Sequence, residues 1–167
     1  SSSFNGVFDG DNHSIQGLYI YSSAENQGFV ANAGYGSVIK NLTLTDCFVK
    51  GGNNTSALSV QTQGTISNCH VSARVEAPQA FAQVGGLVAV SNNAVIETCS
   101  FSGSVEASGT WYVAGIVGLA KNTTISECYN TASVLGSLYV AGVVGRMESH
   151  TLVNKCYNAG QISRFRD

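Results

Sequence analysis

Apolar and polar residues alternate through short runs that recur along this chain, as in "CHVSARVEA" at 69–77 and "CSFSGSVEA" at 99–107. Alternation with a period of two marks a half-buried strand rather than a helix. An aliphatic anchor precedes each run, in "SIQGL", "VIKNL", "TISNC", "VIETC", "TISEC" and "LVNKC". The anchors are Ile15, Ile39, Ile66, Ile96, Ile125 and Val153, at steps of 24, 27, 30, 29 and 28 residues. The third residue after each anchor is Leu18, Leu42, Cys69, Cys99, Cys128 and Cys156. From the second copy onward the ninth is Phe48, Val75, Val105, Val134 and Ile162, with Ala73, Gly103, Ala132 and Gly160 two places before the last four.

A second element sits between the runs. The tetrapeptides "GFVA" at 28, "GLVA" at 86, "GIVG" at 115 and "GVVG" at 142 are embedded in "VGGLVAV", "VAGIVGLA" and "VAGVVGRM". Such segments are too rich in glycine and β-branched residues for a helix, and each is expected to form a second strand per copy. A strand that recurs once per repeat in one direction pairs with its own copy in the next, so the coils stack as a parallel β-solenoid with rungs about 4.8 Å apart. The expected fold is therefore all-β: one solenoid domain over residues 1–167, about six coils of 24–30 residues. The usual rule for parallel crossovers makes it right-handed. Leu87, Ile116 and Val143 are expected to point inward as one ladder, the glycines beside them allowing a turn or the close approach of the opposite wall. "SALSVQT" at 56–62 stands where the second copy should carry its glycine-rich strand. The segments "EAPQAFAQ" and "EASGTWY" read as surface loops of different length, where insertion is cheap.

Composition narrows the functional classes. The chain of 167 residues has 19 Gly, 1 Pro and 11% charged residues, with a formal net charge of -2. Nothing in that balance attracts nucleic acid or an anionic membrane. No apolar run approaches the roughly 20 residues a membrane span requires, so no membrane insertion is expected. The start "SSSFNGVF" does not resemble a signal peptide, which is the pattern of a processed chain or of a part of a longer surface protein with flanking domains.

Four of the five cysteines, Cys69, Cys99, Cys128 and Cys156, fall on one ladder. Rungs about 4.8 Å apart place the outer two roughly 14 Å from one another, whereas Zn–S bonds are about 2.3 Å, so one zinc ion does not bind all four. Disulfides between adjacent rungs are less readily excluded, although parallel side chains hold the Cβ atoms somewhat far apart. Buried thiols acting as small apolar residues are the expected state. Cys47 lies eight places after its anchor, on the outward parity, and reads as the exposed thiol.

Candidate chemistry is otherwise sparse. His13, His70 and His150 occupy different positions in different copies and read as turn or surface residues. "DGDNHS" at 9–14 has the Asp-x-Asp spacing of a calcium loop without the rest of it, and reads as a turn into the strand "SIQGLYI". Glu76 and Glu106 share a register position that continues to Leu135 and Ser163, and a glycosidase would need a groove around such a pair. No catalytic motif, metal site or cofactor is expected. The loops before the glycine-rich strands carry Phe81, Trp111 with Tyr112, and Leu138 with Tyr139 at similar register. Stacked on neighbouring coils they would form an aromatic strip for sugar rings or a partner protein, or else close the loops over the core. Ice binding lacks its Thr-x-Thr ladder, only Thr43 and Thr45 being so placed.

The tetrapeptides "GGLVA", "AGIVG" and "AGVVG", followed by "TISNC", "VIETC", "TISEC" and then "CYNTASV" or "CYNAGQI", resemble the GLUG-motif repeats of bacterial surface proteins. The opening "FNGVFDGDNHSIQGLYI" is similar to the segment that begins such arrays, and "SALSVQT" departs from them. The resemblance implies a bacterial extracellular or cell-surface location and a non-enzymatic structural or adhesive module that contacts glycan or a host surface protein. Similar repeats also accompany immunoglobulin-A-cleaving metallopeptidases, whose motif is absent here. The alternatives are a carbohydrate-active β-helix enzyme, which would gather charged residues on one face of several coils, and an accessory domain of a secreted peptidase.

Overall fold

A computed structural model describes residues 2–78, 81, 83–109 and 111–166. No helix occurs among the described residues, and every ladder between strands is parallel. The strands form three walls of twelve, five and three strands, stacked as a β-solenoid of about five turns. The anchors occupy the twelve-stranded wall, which Val38–Lys50 and Thr65–Glu76 cross as long strands.

Each anchor lies over the next: Ile39 pairs with Ile66, Ile66 with Ile96, Ile96 with Ile125, and Ile125 with Val153. The four isoleucines are wholly buried. Burial of this kind contributes roughly 1.5–3 kcal/mol per side chain. Strict alternation would turn the third residue after the anchor outward, yet Cys69, Cys99 and Cys128 are also wholly buried. The residue just before each cysteine explains it. Asn68, Thr98, Glu127 and Lys155 have φ near +50°, and this left-handed corner shifts the side-chain parity by one.

The first copy is offset from the expected register. Phe8, not Ile15, pairs with Ile39, so that step is 31 residues rather than 24, and Ile15 lies on Leu44. A bulge between Asp9 and His13 absorbs the extra residues, with Asp11 and Asn12 both left-handed. "DGDNHS" is thus a bulge within the strand Val7–Gln16 rather than a turn before it, and His13, not Leu18, heads the ladder of Leu42 and Cys69.

A second bulge overturns the exposure expected for Cys47. Between Leu44 and Cys47 the strand carries one residue more than its partner, Asp46 being left-handed at φ 53°. Cys47 therefore turns inward at 4% exposure, Phe48 faces out, and Val49 takes the buried place beside Val75.

The glycine-rich segment is two strands rather than one. Gln83–Gly85 belongs to the three-stranded wall and Val88–Asn92 to the five-stranded wall, with Gly86 and Leu87 at the corner between them. Leu87 and Ile116 point inward as expected and are wholly buried, while Val143 in the last coil is half-buried. "SALSVQT" follows the same path, Leu58 lying wholly buried beside Leu87 and Ser59 pairing with Val88. The opposite wall sets the need for glycine. A Cβ on Gly86 would overlap the Phe101 ring, one on Gly115 the Asn130 side-chain amide, and one on Gly142 that of Asn158.

Candidate functional site

The corner between the twelve- and three-stranded walls carries the aromatic residues singled out by sequence. Trp111 is 52% exposed, Tyr139 58% and Phe81 75%, whereas Tyr112 is 6% exposed. Tyr112 and Tyr139 pair in register between the strands Tyr112–Ala114 and Tyr139–Ala141, their rings 5.3 Å apart and tilted by 35°. Trp111 meets Tyr112 edge-on at 6.4 Å. Trp111, Tyr112 and Tyr139 therefore form a continuous cluster, in which Tyr112 is the buried backing and the outer two present surface. Phe81 is exposed on a preceding loop, where its N–H donates to Asn53 Oδ1 at 2.9 Å, and it makes no ring contact with the cluster.

Arg146 joins the cluster without having been apparent in the sequence. Its guanidinium lies 5.1 Å from the Tyr112 ring centroid, Nη1 donates to the Tyr112 hydroxyl, and Nε stands 2.8 Å from Glu148 Oε1. The register row Gln61, Val90, Leu119, Arg146 on the five-stranded wall is the signal that would have found it. Two further ring pairs follow from register: Tyr129 with Tyr157 at 5.1 Å and 3°, and Tyr19 with Phe48 at 5.1 Å and 22°.

The remaining candidates are engaged elsewhere. Asp9 accepts from the Asp11 N–H and from Asn41 Nδ2, each at 3.0 Å, and lies 3.3 Å from Lys40 Nζ. The Asp11 N–H, then the Asn41 amide, hold its carboxyl below the usual carboxylate range. His13 is exposed on the bulge, His70 has Ser100 Oγ at 2.8 Å and Asn68 Oδ1 at 3.2 Å from its ring nitrogens, and His150 is exposed in a left-handed turn. Glu76 and Glu106 are register neighbours, and the row continues to Leu135 and Ser163. Glu76 is ion-paired to both Lys50 and Arg74.

The cysteine ladder is a packing device. Each thiol donates to two carbonyls, that of the residue two before it and that of the anchor one coil earlier: Cys69 to Ser67 and Ile39, Cys99 to Glu97 and Ile66, Cys128 to Ser126 and Ile96, Cys156 to Asn154 and Ile125. All five cysteines are free thiols. Among the described residues no group of three or more His, Cys, Asp or Glu is placed to hold a metal ion. The thiols of Cys128 and Cys69, with burial, push Cys99 well above the usual thiol range, and burial raises Cys47 and Cys156. Thiolate is the reactive form. Titration of the native protein with an aromatic disulfide reagent is expected to modify half-buried Cys156 first, faster as pH rises, and the other four only on unfolding. Rapid native labelling of Cys47 would contradict the inward turn made by the bulge.

No helix of the described chain is long and apolar enough to cross a membrane. No family model and no solved structure matches the chain. A stretch of 94 residues, 56% of this chain, is 32% identical to halomucin of Haloquadratum walsbyi, and covers 1% of that protein's length.

Proposed function

We propose that this chain is a non-enzymatic repeat module of an extracellular surface protein, a right-handed stack of six GLUG-type repeats that spaces its flanking domains and adheres to glycan or a host surface protein through its corner loops. The observation that carries this reading is the aromatic cluster. Trp111 and Tyr139 stand half-exposed on adjacent rungs of a hydrogen-bonded ladder, backed by buried Tyr112, so they offer rigid aromatic area with little side-chain entropy to lose on binding. The likeness to halomucin, a protein named for the mucins, supports a surface setting. The ion pairing of Glu76 to two cations leaves the register pair with Glu106 poorly suited to acid and base roles, which favours binding over catalysis.

A glycan and mucin array tests the reading, run with the parent protein beside a Trp111→Ala, Tyr139→Ala double variant. Tyr112 is left intact, because its burial makes it part of the fold. Binding by the parent that the folded variant loses is the expected result. Absence of binding to any glycan or surface protein by either would reduce the module to a passive spacer.

A further inference from the structure

Four outward residues stack in one row along the corner that carries the aromatic cluster, and they end beside it. Tyr21 pairs with Lys50, Lys50 with Glu76, and Glu76 with Glu106. At one rung per 4.8 Å the row spans about 14 Å parallel to the solenoid axis. Beside it the corner loops raise a rim. Two adjoining hollows of about 290 and 120 Å³ share Lys50 and Pro78, the first extending to Glu106 and Ser108 and the second to Tyr21, Ser22 and Ser23. Pro78, the one proline of the chain, stiffens the rim, and the Ser108 hydroxyl donates to its carbonyl at 2.5 Å, tying two successive loops together.

The polar groups of this groove hold one another in place. Lys50 Nζ lies 3.2 Å from Glu76 Oε2, Arg74 pairs with Glu76 Oε1, and the side chain of Glu76 is 14% exposed. Arg74 also lies over the Phe48 ring at 5.9 Å, and Lys50 over the Tyr21 ring at 5.3 Å. Fixed in this way they form a preorganised set of donors and acceptors whose ordering cost is met before a ligand arrives. Glu106 is exposed and has no ion pair among the described residues, leaving its carboxylate open to accept. Two cations and two carboxylates sum to zero. An anionic ligand would compete with Glu76 for both cations and lie against Glu106, and a cationic one would meet Lys50 and Arg74.

We propose that this groove binds a neutral saccharide chain laid along the solenoid axis. The rung spacing is close to the length of one pyranose unit in an extended chain, so successive sugars meet successive rungs. Carboxylate and ammonium pairs suit vicinal hydroxyls, and Tyr21, 66% exposed at one end, supplies an apolar ring face. The inference rests on the glycan-contacting reading above and gives it a ligand class and a second, polar surface.

Isothermal titration with neutral β-1,4-linked glucose and xylose hexaoses, and with oligogalacturonate as an anionic comparator, tests it on the parent protein, on Tyr21→Ala, on Glu106→Gln and on the Trp111→Ala, Tyr139→Ala variant. Tyr21 and Glu106 are exposed, so their variants are expected to fold. Binding of a neutral hexaose, weakened about tenfold by either groove substitution, is the expected result. Groove variants that bind like the parent while the Trp111/Tyr139 variant fails would overturn the groove and leave the adhesive reading standing. Preference for oligogalacturonate would overturn the neutral assignment. No binding of any saccharide by any of the four proteins would overturn both.

Discussion

Replacing Gly115 with alanine lowers the stability of the module by about 3 kcal/mol, at the upper end of what overpacking a well-filled core costs. A Cβ at this position would overlap the side-chain amide of Asn130 and stand 2.6 Å from the carbonyl oxygen of Gly142. Neither neighbour yields easily. Asn130 is wholly buried, its Nδ2 donating to Ala132 O at 3.0 Å and Asn158 Oδ1 at 2.7 Å while its Oδ1 accepts from the Ala132 N–H at 3.2 Å. Displacing it would strand buried polar groups, at a further cost of roughly 1–3 kcal/mol for each left unsatisfied. Gly6→Ala is the control, since a Cβ there meets only the Phe4 ring at ordinary distances of 3.4 and 3.5 Å. Urea unfolding followed by circular dichroism compares the two. Equal midpoints would show that the glycine-rich corner tolerates a side chain and that its recurrence has some other cause.

Phe101→Ala is expected to cost roughly 3–5 kcal/mol, the range for truncating a buried aromatic residue. Phe101 heads the list of wholly buried side chains by volume. It occupies an internal row between Val71 and Asn130 and fills the space left by the missing side chain of Gly86. Hydrogen-bonded rungs on either side keep that space from collapsing, so the lost contacts are not recovered. Val71→Ala in the same row removes less volume and serves as the internal comparison. A smaller loss at Phe101 than at Val71 would mean that the coils close up around the deletion.

These two residues also divide what was legible from what was not. The spacing of Gly115 from its copies is visible in the sequence, and so is the strand on which Phe101 lies. Their contact is not, because it joins walls facing one another across the coil interior, and no local pattern records which rung of one wall meets which rung of the other. The aromatic cluster divides in the same way. Its rung-to-rung alignment follows from the repeat, so Trp111, Tyr112 and Tyr139 could be grouped by register. That Tyr112 is buried while Tyr139 is exposed depends on Arg146 reaching across from another wall. Phe81 shares the register and not the cluster.

The sequence by itself determined that the chain is all-β, that its strands pair in parallel with their own copies, and which residues form the buried ladders from Ile39 to Val153 and from Cys69 to Cys156. Period-two alternation and a repeat near thirty residues carry that information locally, and each copy repeats it. Only the tertiary structure decided the first register, the inward turn of Cys47 and the split of the glycine-rich segment at its corner. Each of these depends on a single left-handed residue or a one- or two-residue bulge, as at Asp11, Asn12 and Asp46. Such a bulge is small in sequence, but in a period of two it exchanges the inner and outer faces of everything that follows in the strand.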